Sequence, residues 1–126
     1  MTASTPGPVP APRVATYRVQ LNAGFTLDDA AAISGYLAEL GVSHLYCSPL
    51  LQAAAGSTHG YDVTSHGRLN GELGGADGYR RLARRLAAAG LHLVLDIVPN
   101  HMALAGRANA WWWWRMSSRP VAPPRT

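Results

Sequence analysis

Apolar and polar positions change period along this chain in a regular order. Residues Ala15 to Leu21 alternate β-forming side chains and predict a first strand. From Thr26 the period lengthens: Leu27, Ala30, Ile33, Leu37 and Leu40 recur at helical spacing behind a start, Thr26-x-x-Asp29, with the form of a capping box. Gly41 stands where a helix end takes a glycine. The same grammar then repeats. Ser43 to Cys47 predicts a second strand, a helix from about Asp77 carries Tyr79, Leu82, Leu86 and Ala89 on one face, and Gly90 closes it before a third strand, Leu91 to Val98. Both helix-to-strand joints run glycine, short apolar strand, proline (Gly41 to Pro49, Gly90 to Pro99), the rhythm of βαβ units sharing a parallel sheet. The expected body is β-α-β-α-β, in the α/β class.

Ser48 to Ala76 is read as a loop, far longer than the roughly 2 to 6 residues usual at such joints, and long aperiodic loops in compact domains tend to be functional. It follows a strand, so it emerges at the C-terminal rim where parallel sheets and barrels place their ligands. The stretch Asp96-Ile-Val-Pro-Asn-His101 leaves the third strand at the same rim. Tyr61 and Asp62 are therefore expected near Asn100 and His101. Residues 1–13, with Pro6, Pro8, Pro10 and Pro12, read as a disordered proline-rich leader, and residues 111–126, with four Trp, three Pro and no acid, as an irregular tail.

Composition narrows the classes. A hydrophobic content of 48% with 14% charged residues belongs to a core-forming chain. At 126 residues it has about half the length of a typical (β/α)8 barrel. The formal charge of +4 comes entirely from Arg107, Arg115, Arg119 and Arg125, because the seven Arg and seven acids of residues 1–106 cancel. No basic face is built, so a nucleic-acid partner is not expected. A single Cys47 and no signal-peptide pattern point to a reducing, cytoplasmic setting, and no apolar run approaches the roughly 20 residues of a membrane span. His44, His59, His66, His92 and His101 show none of the short spacings of a zinc site, and no metal is expected.

Saccharide recognition needs an aromatic face for pyranose C–H groups and polar groups for paired hydroxyls. Tyr61, Asp62, Asn100 and His101 supply that set.

Asp96-x-Val-x-Asn-His101 at a strand end resembles the first signature region of the α-amylase-type glycoside hydrolases. Thr16-Tyr-Arg-Val-Gln-Leu21 with Gly24-Phe25, Gly41-Val-Ser-His-Leu-Tyr46 with Ser48-Pro49, and Gly56-Ser-Thr-His-Gly-Tyr-Asp-Val63 narrow the resemblance to the malto-oligosyltrehalose synthase branch, over roughly residues 14 to 113. The resemblance implies a (β/α)8 TIM barrel, of which residues 14–110 would form the first three strands and two helices, incomplete. It implies conversion of the reducing-end α-1,4 linkage of a maltodextrin into the α,α-1,1 linkage of a trehalose unit, without a cofactor. Tyr61 would stack on the glucosyl unit, Asp62 would help fix it through a charged partner, His101 would bind its hydroxyls, and Asp96 and His59 would support them from behind.

Retaining glycosyl transfer needs two carboxyl groups about 5 to 5.5 Å apart. In the family these follow the fourth, fifth and seventh strands, so the chain is expected to hold no catalytic residue and to be inactive alone. A shifted reading of degenerate codons for residues 114–120 spells Ala-Asp-Val-Leu-Glu-Ala, similar to the acidic segment that follows the tryptophan cluster in the related enzymes. The tail is accordingly read as a frame-shifted continuation of a longer enzyme. Another α-amylase-family hydrolase, or a free-standing small α/β glucan-binding module whose tryptophans form a genuine platform, are the other readings.

Overall fold

The computed structural model describes residues 14–117, and the proline-rich leader lies outside them. Three short strands form a parallel sheet in the order β1 (Thr16–Val19), β2 (His44–Cys47), β5 (His92–Leu95). Register is continuous across it: Arg18 lies beside Tyr46 and Tyr46 beside Val94, while Val19, Cys47 and Leu95 form the next row. Alternation then sorts the faces. Val19, Leu45 and Cys47 turn into the hydrophobic core with Leu93 packed against it. Arg18, Tyr46 and, beyond the end of β5, Asp96 belong to the opposite face.

Helices cover the apolar face. The expected single helix is two: α1 (Leu27–Ala32) and α2 (Ser34–Leu40), joined at Ile33. The Ser34 hydroxyl donates to the Ala31 carbonyl at 2.8 Å, a local bond that competes with the helical ladder, and Ile33 N–H bonds Ala30 at 3.3 Å in the tighter i−3 pattern. The capping box is present: Thr26 N–H donates to Asp29 Oδ2 at 2.8 Å while Asp29 N–H reaches Thr26 Oγ1 at 3.4 Å. Gly41 ends α2 at φ +87°, a conformation that a side chain would disfavour. Helix α3 (Gly75–Ala88) packs on α1 through buried Leu82 and Leu86, and Gly78 lets Leu27 approach so closely that a Cβ there would lie 3.4 Å from it.

Two expectations of irregularity are corrected. Inside the long segment after β2, β3 (Leu51–Ala53) and β4 (Val63–Leu69) pair antiparallel with register shifts. The shifts erase the even alternation by which a hairpin is read in sequence. Asn70, fully buried, closes this hairpin: its side chain accepts from Glu72 N–H at 3.0 Å and from Gln52 Nε2 at 3.3 Å. The tail's first part is also regular, since Ala110–Ser117 form α4. Asn109 starts it, accepting Trp112 N–H at 3.0 Å on its side chain and donating to the Ala103 carbonyl at 2.7 Å. None of the α4 residues is buried; Trp111 to Trp114 all face outward, with Arg107 stacked 4.8 Å from the Trp113 ring centre.

Two outcomes follow from this core. Leu82→Ala removes a fully buried side chain at the α1–α3 contact and is expected to cost about 2 to 5 kcal/mol in chemical denaturation. Burial also pushes the Cys47 thiol up to about 12 from its ordinary 9.0. The unfolded chain ionises first, so this contribution to stability is intact below pH 9 and fades as pH rises toward 12, by up to about 1.4 kcal/mol per pH unit. The alkaline loss should shrink in Cys47→Ala, measured as the slope of unfolding free energy against pH.

Candidate functional site

The strands put their polar ends at one rim, and the hairpin loop brings the aromatic group to it. Loop 54–62 is pinned at three points. The Ala54 N–H bonds the Asp62 carbonyl at 3.0 Å, the Glu72 carboxylate receives Gly56 N–H at 3.1 and 3.2 Å, and Gln20 Nε2 donates to the Thr58 carbonyl at 2.9 Å. Gly60, buried at φ +82°, makes the last turn before Tyr61; a Cβ there would stand 2.9 Å from the Pro49 carbonyl oxygen. Only glycine fits.

Tyr61 thereby reaches the sheet. Its hydroxyl donates to Asp96 Oδ2 at 2.5 Å and accepts from Arg18 Nη2 at 3.1 Å. Tyr46 donates to the same Asp96 oxygen at 3.1 Å, and the Arg18 guanidinium lies 5.5 Å from the Tyr46 ring centre. Donation to Asp96 raises the Tyr61 phenol above its usual range, with Arg18 opposing, so the phenol stays protonated at neutral pH. Asp96, the expected support, thus holds two phenols at once.

His101 joins from the segment after β5. Its Nε2 lies 3.1 Å from the Tyr61 carbonyl oxygen and its Nδ1 2.9 Å from Asn100 Oδ1. A carbonyl only accepts, which assigns a proton to Nε2; a half-turn of the Asn100 amide would bring its NH2 to Nδ1. His66 Nε2 at 2.9 Å from the Val98 carbonyl, and Ala103 N–H on the Val63 carbonyl at 2.8 Å, fasten this segment to β4.

The structure therefore gathers Tyr61, Asp96, Asn100 and His101, with Asn100 and His101 exposed at an open edge. Asp62 turns back into its own loop. Its carboxylate receives a short bond from the Ser57 hydroxyl and stands 3.8 Å from His59 Nδ1, and the His59 ring stacks 6.0 Å from that of Tyr61. Sequence reasoning passed over Arg18, Gln20, Tyr46 and Ser57. The register supplies the signal for the first three: Arg18 on β1 and Gln20 just past its end share a parity, and parallel pairing sets Tyr46 beside Arg18. Among the described residues no group of three or more His, Cys, Asp or Glu is placed to hold a metal ion, and no helix is long and apolar enough to cross a membrane.

The alpha-amylase family, as "Alpha amylase, catalytic domain", matches residues 33–119. A curated Mycobacterium tuberculosis protein, provisionally named as a maltooligosyl trehalose synthase, is 49% identical over 108 residues, 81% of this chain and 14% of that protein. The solved maltooligosyltrehalose synthase from Arthrobacter ramosus is 46% identical with a TM-score of 0.81, over 86% of this chain and 14% of that one. The alpha-amylase from Geobacillus thermoleovorans shares the fold alone, at 19% identity and a TM-score of 0.67, over 71% of this chain and 24% of that one. The chain thus spans about one seventh of the length of the synthases it matches.

Gly60→Ala should strain the turn and push on Pro49, whereas Gly56→Ala, at φ +74° with open space around it, should meet the strain alone. The expected loss is about 1 to 3 kcal/mol at Gly60 and less at Gly56, compared by urea denaturation.

Proposed function

We propose that this chain, which belongs to the alpha-amylase family, forms the first three strands and two sheet-covering helical segments of a (β/α)8 barrel and supplies part of the glucan site of a maltooligosyl trehalose synthase. The observation that carries the reading is the cluster itself: a phenol, an imidazole and an amide on strand-end segments, in a chain about half identical to such synthases. Tyr61 offers its ring to the C–H face of a terminal glucosyl unit, and His101 and Asn100 stand where its hydroxyls would lie. The reaction would exchange the reducing-end α-1,4 linkage of a maltodextrin for an α,α-1,1 linkage.

Bond exchange needs a nucleophilic carboxylate and a carboxylic acid about 5 to 5.5 Å apart. The two rim carboxylates here are both engaged. Asp96 holds Tyr61 and Tyr46, and Asp62 holds Ser57. In the family that the chain resembles the reacting carboxyl groups follow the fourth, fifth and seventh strands, so the three parallel strands here should hold no reacting pair, and this chain alone should bind maltodextrin weakly and turn nothing over.

A chimera in which residues 14–113 replace the matching segment of the Arthrobacter ramosus synthase tests this. It should form non-reducing trehalosyl ends from maltopentaose, and His101→Ala should lower kcat/KM at least about tenfold, the scale of one lost sugar hydrogen bond. Release of reducing sugar without trehalosyl product would assign the segment to a hydrolase of the same family instead.

A further inference from the structure

The geometry points to Arg18, with Gln20, as the positioning group of this site: a clamp on the first strand that sets the plane of the Tyr61 ring and leaves it only its face to offer a sugar. This rests on the glucan-site reading for its ligand, and on the hydrogen bonds alone for its mechanics.

Arg18 makes two directed bonds in one plane. Nη1 donates to Gln20 Oε1 at 2.9 Å and Nη2 to the Tyr61 hydroxyl at 3.1 Å. Gln20 uses its other end on the Thr58 carbonyl at 2.9 Å. The result is a closed path from β1 to both ends of the four-residue stretch that carries Tyr61: Thr58 is held through Gln20 and Tyr61 through Arg18. On its far side the same hydroxyl is held by Asp96, which Tyr46 also engages. A phenol has one proton to give, and that proton goes to the carboxylate; its lone-pair side faces the guanidinium. The Tyr61 hydroxyl is thus committed on both sides, and a sugar meets the ring rather than the oxygen.

Arginine is suited to this task and lysine is not. A planar guanidinium can hold Gln20 and Tyr61 in fixed directions while lying against the Tyr46 ring, whereas an ammonium on a flexible stem is a point charge. The cation also balances Asp96 across the phenol. With Arg18 removed, the carboxylate alone would act on Tyr61, and its phenol should become harder to ionise; with Asp96 neutralised it should become easier.

The 126-residue chain carrying ¹³Cζ-labelled tyrosine gives the direct readout. Tyr61→Phe assigns the Tyr61 resonance among the five tyrosines, and an alkaline titration by NMR follows it. The expected results are an upward move of the Tyr61 midpoint in Arg18→Met and a downward move in Asp96→Asn. In the chimera with the Arthrobacter ramosus synthase, kcat/KM for maltopentaose should fall about tenfold in Arg18→Met, the worth of one charge-assisted bond, and be only partly recovered in Arg18→Lys. Arg18 is exposed, so neither variant disturbs the core. A Tyr61 midpoint indifferent to Arg18→Met would overturn the clamp, as would an unchanged kcat/KM in the Arg18→Lys chimera. If the midpoints move as stated while the chimera with the Arthrobacter ramosus synthase forms no trehalosyl product, the clamp stands and the glucan reading fails.

Discussion

Everything at the rim depends on the register of three parallel strands. Because Arg18, Tyr46 and Val94 lie in one row, a side chain two residues beyond Val94 points the same way as the first two, and that residue is Asp96. A slip of one residue between β2 and β5 would send Asp96 into the helix-covered face, leave a carboxylate beside Leu45 and Cys47, and turn Leu93 away from the core. The burial of Leu91 and the packing of Leu93 against the core oppose that slip. Core packing therefore places the polar network, although no atom of the network belongs to the core.

The network in turn makes a flexible excursion usable. The hairpin loop has little apolar content of its own, and its order comes from polar ties: Glu72 to Gly56, Gln20 to Thr58, Ser57 to Asp62, and the Arg18–Tyr61–Asp96 bridge. Each is modest by itself in an exposed setting. Their joint effect is larger because they act on nine consecutive residues whose freedom one tie alone would not remove. Gly60 adds the one backbone feature that cannot be exchanged, a left-handed turn pressed against Pro49.

Legibility in the sequence followed the same division. The parallel strands, the capping box at Thr26 and the terminating Gly41 were readable because burial and capping leave short-range marks. The hairpin was not, since its register shifts at Gln52 break the alternation that marks a strand. Nor was the break at Ile33, where apolar spacing continues across a kink made by the Ser34 hydroxyl. Helix α4 escaped because four tryptophans in a row have no polar face; Asn109, a strong capping residue, was the mark to read. At the site, the rim location of Tyr61, Asn100 and His101 could be inferred from strand ends, but Arg18 could not stand out until the register showed which residues faced it.

The rim carboxylates are oriented by their bonds rather than consumed by them. A carboxylate offers about four lone-pair sites. Asp96 receives both Tyr61 and Tyr46 on one oxygen, with Arg18 balancing charge through the phenol. Asp62 receives Ser57 within its own loop. Because two phenols meet on one Asp96 oxygen, the hairpin loop and the second strand are brought to a single point just beyond the third, and the rim is held by bonds that cross all three segments.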